Sequence, residues 1–227
     1  MQSKKIIVAL DSNNFSEIEK LVKSLRKDVY AFKVGYQFFF NFGLIGYKKI
    51  YSICPKIFLD LKLHDIPNTV ENGLEALNKI KPILTTIHVS GGDEMMKSSV
   101  KNKKFTKILG VTILTSMDIK QTKKFYNEKN LSLLVKKFAK FAKKNGLDGV
   151  VCSPREIEAI RKQIGKNFII VTPGIRLKNK IKSDDQKRVE TPEKAIEMGA
   201  NYLVIGRPIT KSKNPLKTLK QINKTLS

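Results

Sequence analysis

The chain has 227 residues, 41% of them hydrophobic, which suits a globular fold of one large domain or two small ones and excludes a disordered chain. Its formal net charge of +24 favours anionic substrates. Cys54 and Cys152 lack metal-ligand spacing, so they predict reduced thiols of a cytoplasmic protein rather than a disulfide scaffold. Neither a signal peptide nor a membrane span is predicted. The apolar run after Lys4-Lys5 stops at Asp11, and the Phe38-Phe39-Phe40 run is broken by Asn41 and Gly43.

Short apolar runs alternate with amphipathic stretches, the pattern of βα units. Ile6–Leu10 predicts a first strand. Ser16, with Glu19 three residues on, predicts a capping box for a helix reaching Arg26. Tyr30–Val34 predicts the second strand, with a helix through Ser52 after it. Ile57–Leu61 predicts the third, and Pro67 opens a helix to Ile80. Ile83–Val89 predicts the fourth, followed past Gly91-Gly92 by a short helix over Glu94–Val100, and Lys107–Leu114 predicts the fifth. Leu131, Leu134, Val135, Phe138 and Phe141 recur at helical spacing, so Asn130–Lys144 predicts a helix closed by Gly146. Gly149–Cys152 predicts the sixth strand, with a helix from Pro154, and Phe168–Val171 predicts the seventh. A loop runs to Glu190, then a helix over Pro192–Met198, the eighth strand over Tyr202–Ile205 and a last helix over Pro215–Thr225. Eight such units without a linker predict a single-domain (β/α)8 TIM barrel over residues 1–227. The alternative, an open doubly wound sheet, lacks its Gly-rich fingerprint after the first strand, where Leu10-Asp11-Ser12-Asn13 stands.

In a barrel, function belongs at the C-terminal ends of the strands. The densest chemistry there is Asp60-Leu61-Lys62-Leu63-His64-Asp65-Ile66-Pro67-Asn68-Thr69. Residues two apart share a strand face, so Asp60, Lys62 and His64 point one way and Leu59, Leu61 and Leu63 the other. An isolated D-x-K reads first as a solvated strand edge. Here Pro67 puts the charges at a strand-to-helix turn, where ligands commonly bind in α/β folds. The first strand ends in Asp11 and the second in Lys33, so inward-facing ends would set Lys33, Asp60 and Lys62 side by side. Such a row serves either as a salt-bridge network or as a site in which an ammonium attracts an anion and donates a proton.

Thr172-Pro173-Gly174-Ile175-Arg176 and Gly206-Arg207-Pro208 follow the seventh and eighth strands, in the loops where such barrels bind phosphate. Glycine lets a backbone N–H approach an oxyanion, and arginine offers a bidentate fork. Arg is scarce in this chain, yet Arg176 and Arg207 both fall there. His64 and His88 have no partners at a metal-ligand spacing and read as hydrogen-bonding side chains; no metal site is predicted.

These residues carry a resemblance. Over nearly its whole length the chain resembles the orotidine 5′-phosphate decarboxylase family, bacterial type. The likeness rests on Val8-Ala9-Leu10-Asp11, Lys33-Val34-Gly35, the block from Phe58 to Thr69, Leu114-Thr115-Ser116, Gly146 to Ser153, Val171 to Arg176, and Val204 to Ile209. The D-x-K-x-x-D-I-P-N-T combination is its most specific part. Val89 departs from it, standing where the family's H-A-x-G-G stretch has Ala. The resemblance implies conversion of orotidine 5′-phosphate to UMP and CO2 in pyrimidine synthesis, without metal or cofactor, by a homodimer with shared active sites. It implies Lys62 as proton donor to C6 beside Asp60 and Lys33, with Asp65 reaching in from the other subunit. Asp11 and Lys33 would hold the ribose hydroxyls together with Asp65 and Thr69 of the partner subunit. Thr115 would meet the base, Gln186 would bridge base and phosphate, and Arg207 with the Gly206 amide would bind phosphate, Arg176 lining the same loop.

Two alternatives stand beside it. A Mg²⁺-dependent sugar-phosphate decarboxylase or aldolase of the same superfamily shares D-x-K-x-x-D, but has an acidic metal ligand where Lys33 stands. A basic nucleic-acid-binding protein would explain the charge. However, the Lys residues are spread along the chain without a zinc-finger, RNA-recognition or helix-turn-helix signature, so neither nucleic acid nor membrane is the expected partner.

Overall fold

Eight apolar runs, none able to satisfy its own backbone, pair in parallel with their sequence neighbours and close on themselves. The computed structural model describes residues 4–177 and 189–226. The strands are β1 (Ile6–Ala9), β2 (Ala31–Val34), β3 (Ile57–Leu63), β4 (Leu84–His88), β5 (Lys107–Val111), β6 (Gly149–Val151), β7 (Ile169–Thr172) and β8 (Tyr202–Ile205). Closure comes from β1 against β8, Ile6 opposite Leu203 and Val8 opposite Ile205. Around the sheet run α1 (Phe15–Leu25), α2 (Tyr36–Ile53), α3 (Pro67–Leu77), α4 (Gly92–Lys101) and α5 (Ile119–Tyr126). They are followed by α6 (Leu131–Lys144), α7 (Ile157–Ile164), α8 (Pro192–Glu197), α9 (Arg207–Thr210) and α10 (Pro215–Thr225). This is the (β/α)8 barrel that the alternation predicts.

The strands are apolar on both faces because they serve two cores. Ile7, Ala31, Phe58, Leu84, Leu109 and Val171 form a plug inside the barrel. Toward its N-terminal end, Tyr30 and Tyr202 stack with ring centroids 3.8 Å apart. The alternate residues, among them Ile6, Val8, Phe32, Val34 and Leu59, pack outward on the helices, meeting Ile18 and Val22 of α1 and Leu134, Val135 and Ala139 of α6 within one cluster. Each fully buried aliphatic side chain of this kind contributes roughly 1.5–3 kcal/mol. With the lumen filled below, polar side chains can project inward only at the C-terminal end. Register sets them there: Lys33 lies opposite both Ala9 and Phe58, so the next inward position of β3 is Asp60.

Local details differ from the sequence expectations. The N-cap of α1 is Asn14, whose side chain accepts a hydrogen bond from the Glu17 N–H at 3.2 Å; Ser16 lies inside the first turn. Asn14 is extended, and its short amide reaches the free N–H of the turn just as a serine would. Strand β5 stops at Val111 rather than Leu114. The unforeseen α5 follows, started by a capping box between Asp118 and Gln121. The unforeseen α9 is a single turn directly after Gly206. Val89, the departure from the family pattern, is accommodated by Gly110, where an added Cβ would stand 2.6 Å from the Val89 Cγ2.

Gly149 marks the tightest strand approach. A Cβ there would lie 2.3 Å from the Ile169 carbonyl oxygen, the residue it pairs with on β7. Gly149→Ala should therefore force β6 from β7 and cost about 1–3 kcal/mol, as overpacking does. Urea unfolding followed by circular dichroism measures this. An unshifted midpoint would mean that the two strands separate without cost.

Candidate active site

The C-terminal end of the barrel opens into a cavity of about 520 Å³. Asp11, Lys33, Asp60, Lys62, Thr115, Arg176, Gly206 and Arg207 line it, and Lys211 joins them. Its walls therefore carry five cationic side chains against two carboxylates, which suits an anionic ligand.

Asp60 is the hub. It is only 8% exposed, and its Oδ2 accepts a hydrogen bond from Lys62 Nζ at 3.0 Å and lies 3.8 Å from Lys33 Nζ. Lys33 Nζ also lies 3.4 Å from Asp11 Oδ1. The order Asp11, Lys33, Asp60, Lys62 thus alternates in sign across β1, β2 and β3. The other Asp60 oxygen, Oδ1, accepts a 2.9 Å bond from the Thr86 hydroxyl of β4.

The strand carrying this row is not regular. Leu59 lies opposite Thr85 and Leu63 opposite Ile87, so Asp60, Leu61 and Lys62 together face Thr86 alone. This is a bulge, a device that re-aims side chains. Within it Lys62 has φ +46°, in the left-handed region that a lysine seldom adopts. Side chains take up backbone groups at the bulge. The Thr86 hydroxyl accepts the Lys62 N–H at 2.9 Å, and the Tyr36 hydroxyl donates to the Leu61 carbonyl at 2.9 Å. The Tyr36 ring also lies under the ammonium, its centroid 5.7 Å from Lys62 Nζ. Neither Thr86 nor Tyr36 is among the residues that the sequence singles out. A threonine in a strand reads as ordinary β-propensity, and its place two residues before His88 is the only signal of an inward face.

At the opposite rim, Gly206 caps the single-turn α9, which begins with Arg207. The Arg176 N–H donates to the Glu190 carbonyl at 2.9 Å and the Glu190 N–H to the Gly174 carbonyl at 3.1 Å, which seats the Arg176 stretch at the cavity edge. Asp65 and Thr69 stand apart. Both are exposed and neither lines the cavity; Asp65 Oδ1 accepts the Ile66 N–H at 2.7 Å, just before α3. Gln186 lies outside the described residues. Among the described residues no group of three or more His, Cys, Asp and Glu side chains is placed to hold a metal ion, and no helix is long and apolar enough to cross a membrane.

His64 is exposed beyond the end of β3, outside the cavity, and its ring lies 5.3 Å from that of half-buried His88. Burial first, then repulsion from His64 and Lys62, holds the His88 pKa below the usual histidine value of 6.5, with Asp60 opposing.

Comparison with known proteins finds relatives over nearly the whole chain. The model of the family described as orotidine 5′-phosphate decarboxylase / HUMPS matches residues 4–222. An orotidine 5′-phosphate decarboxylase of Wolbachia sp. subsp. Brugia malayi (strain TRS) is 44% identical, over 98% of this chain and 99% of that one. One from Pseudoalteromonas translucida (strain TAC 125) is 42% identical, over 99% and 98%. The crystal structure of the Lactobacillus acidophilus orotidine 5′-phosphate decarboxylase superposes with a TM-score of 0.85 at 38% identity, covering 99% of this chain and all of that one.

The lowered His88 pKa has a consequence for stability. The unfolded chain takes up the proton first as pH falls through 6.5, so the contribution of neutral His88 is complete above that value and is lost below it. Thermal midpoints between pH 7 and pH 5 should fall more steeply for the wild type than for His88→Gln. The difference is bounded by about 1.4 kcal/mol per pH unit for one proton. Parallel pH profiles would show that His88 titrates alike in both states.

Proposed function

The chain belongs to the orotidine 5′-phosphate decarboxylase / HUMPS family, and we propose that the charged row at its barrel mouth performs the decarboxylation with Lys62 as proton donor. The reaction is the conversion of orotidine 5′-phosphate to UMP and CO2, a carboxy-lyase step of pyrimidine biosynthesis. One observation carries the mechanistic reading. The alternating row Lys33, Asp60, Lys62 shares a single cavity with Arg176, Gly206 and Arg207, so a nucleotide's reacting carbon and its phosphate each meet suitable groups.

The bond between C6 and the carboxylate breaks, CO2 leaves, and the electron pair stays on C6. Lys62 Nζ then transfers a proton to C6 and is reprotonated from water. Before that transfer its fixed positive charge stabilises the developing carbanion more than the substrate, which is what lowers the barrier. Asp60 stands next to the departing carboxylate. Lys33 and Asp11 bind ribose hydroxyls, Thr115 meets the base, and Arg207 with the Gly206 amide takes the phosphate, Arg176 beside them. Gln186 is assigned the bridge between base and phosphate. The reading needs no metal or cofactor. The Lys33 ammonium occupies the space between Asp11 and Asp60, where a divalent cation of the sugar-phosphate alternative would need a carboxylate instead.

We further propose a cytoplasmic homodimer in which the whole chain, 1–227, is one catalytic domain and Asp65 and Thr69 complete the site of the other subunit. Their position outside their own cavity supports this. So does exposed apolar surface on α2 and beside Asp65: Phe40 is 80% exposed, and Ile66, adjacent to Asp65, is 66% exposed. The buried free thiols of Cys54 and Cys152 fit a reducing compartment.

Turnover of orotidine 5′-phosphate, followed by ultraviolet absorbance, tests the chemistry. Lys62→Ala should lose at least a thousandfold in kcat while remaining folded, since donor and fixed charge act together at about 10² or more each. A tenth of wild-type activity would place the proton donor elsewhere. Subunit exchange tests the shared site. Mixed in equal amounts, inactive Lys62→Ala and Asp65→Asn dimers should regain about a quarter of wild-type activity, because half of the dimers are mixed and each of those holds one intact site. Verified exchange without recovery would refute it.

A further inference from the structure

We propose that Thr86 is a positioning residue for this decarboxylation, its one hydroxyl fixing the Asp60 carboxylate and the Lys62 backbone relative to each other. The proposal rests on the reading above, in which Asp60 and Lys62 flank the reacting carbon.

A threonine hydroxyl has one proton to donate and lone pairs to accept with. Both capacities are used here. It donates to Asp60 Oδ1 at 2.9 Å and accepts from the Lys62 N–H at 2.9 Å. Thr86 has no exposed surface, so water does not substitute for either bond. It sits alone opposite the three bulged residues of β3, where ladder pairing cannot serve the Lys62 N–H. A lysine at φ +46° is strained and persists only if its surroundings impose it. The Thr86 bond is the described contact that holds this amide.

The geometry explains why a hydroxyl, and not merely a small side chain, stands there. Asp60 Oδ2 is committed to Lys62 Nζ at 3.0 Å and lies near Lys33 Nζ. Only Oδ1 remains to fix the rotation of the carboxylate, and Thr86 takes it. The same oxygen atom of Thr86 anchors the main chain from which Lys62 projects. Carboxylate and ammonium are thus referenced to one atom on a neighbouring strand, which sets the spacing at which they meet the two halves of the breaking bond. Thr85, the preceding residue, shows the contrast. Its hydroxyl donates to the Leu59 carbonyl at 2.9 Å and touches neither of the two charged side chains.

Thr86→Val keeps the shape and removes both hydrogen bonds; Thr86→Ser keeps the hydroxyl and removes a methyl. The valine variant is expected to lose roughly a hundredfold in kcat, the scale of a misplacement of about 1 Å. Its KM for orotidine 5′-phosphate and its affinity for UMP should shift less than threefold, because the phosphate and ribose contacts are untouched. Serine should restore kcat to within about threefold of wild type even if its thermal midpoint drops with the lost methyl. A purely structural role predicts the reverse, in which kcat per folded site is unchanged and both variants rank by stability. If the valine protein does not fold, Thr86→Cys, of similar volume but only a weak donor and acceptor, answers the same question, with a kcat expected at least about tenfold below that of the serine variant. Valine, or cysteine in its stead, with kcat within threefold of wild type overturns the proposal, as does a serine variant that falls as far as valine. Wild type and Lys62→Ala are assayed alongside. A wild type without turnover overturns the functional reading and this proposal with it, whereas an active wild type with an equally active valine variant overturns this proposal alone.

Discussion

The Asp60 carboxylate is 8% exposed, and withdrawing such a group from water costs several kcal/mol unless its lone pairs are used. What surrounds it can be read as the set of groups that this cost demands. Lys62 and Lys33 face one oxygen, and the Thr86 hydroxyl faces the other. Each comes from a different place in the chain, yet barrel closure brings β2, β3 and β4 edge to edge, so three neighbouring strands supply the partners. The bulge is part of the same arrangement. On a regular strand the Lys62 N–H would engage the ladder; here it is freed and is taken by the hydroxyl that also serves Asp60.

Strands are a rigid support for such a site. Side chains held by packing on the sheet keep their separations through a reaction better than side chains on loops, and preorganised charge requires that. The roles divide accordingly. The groups assigned to the breaking bond, Lys33, Asp60 and Lys62, stand on strands, while those assigned to base and phosphate, Thr115, Arg176, Gly206 and Arg207, stand just past strand ends. Asp11 lies between the two sets, two residues beyond β1.

Much of this is legible in the sequence, for physical reasons that stop at identifiable points. The eight strands are visible because burial on both faces leaves uninterrupted apolar runs such as Ile6-Ile7-Val8-Ala9. The Lys33, Asp60, Lys62 cluster is visible because charge at the end of such a run needs a partner. Asp65 is legible as lying outside its own mouth because it comes past the end of the strand and just before Pro67, where the chain is already leaving for the helix. Short polar elements are not visible in this way. The helix α5 is IKQTKKFY, whose apolar residues Ile119, Phe125 and Tyr126 are exposed and whose one deeply buried residue is Thr122, so only its capping box identifies it. Asn14 and Ser16 are equally good caps by type, and the choice depends on where Phe15 packs, near Phe38 and Phe42. Thr86 is hidden for a deeper reason. Its role exists only because β3 bulges, and a bulge is a register relation between two strands, not a property of either one.

The buried row also bears on how the proposed reaction would be driven. Before substrate binds, Asp60 is matched by two ammonium groups. In the reading proposed above, an orotidine carboxylate bound beside it would add a second negative charge to the same place. Asp60 is tied to β4 through Thr86 and to its own strand through the Lys62 pair, so it has no rotation by which to withdraw from that charge. On the proposed reading relief would come from the substrate, as departure of CO2 moves the negative charge from the carboxylate to C6, toward Lys62. The proposed attraction of Lys62 for the carbanion and crowding of Asp60 against the carboxylate would then be two aspects of one fixed geometry. Loosening Asp60 would weaken both, because the Lys62 ammonium is held in place by the very carboxylate it balances.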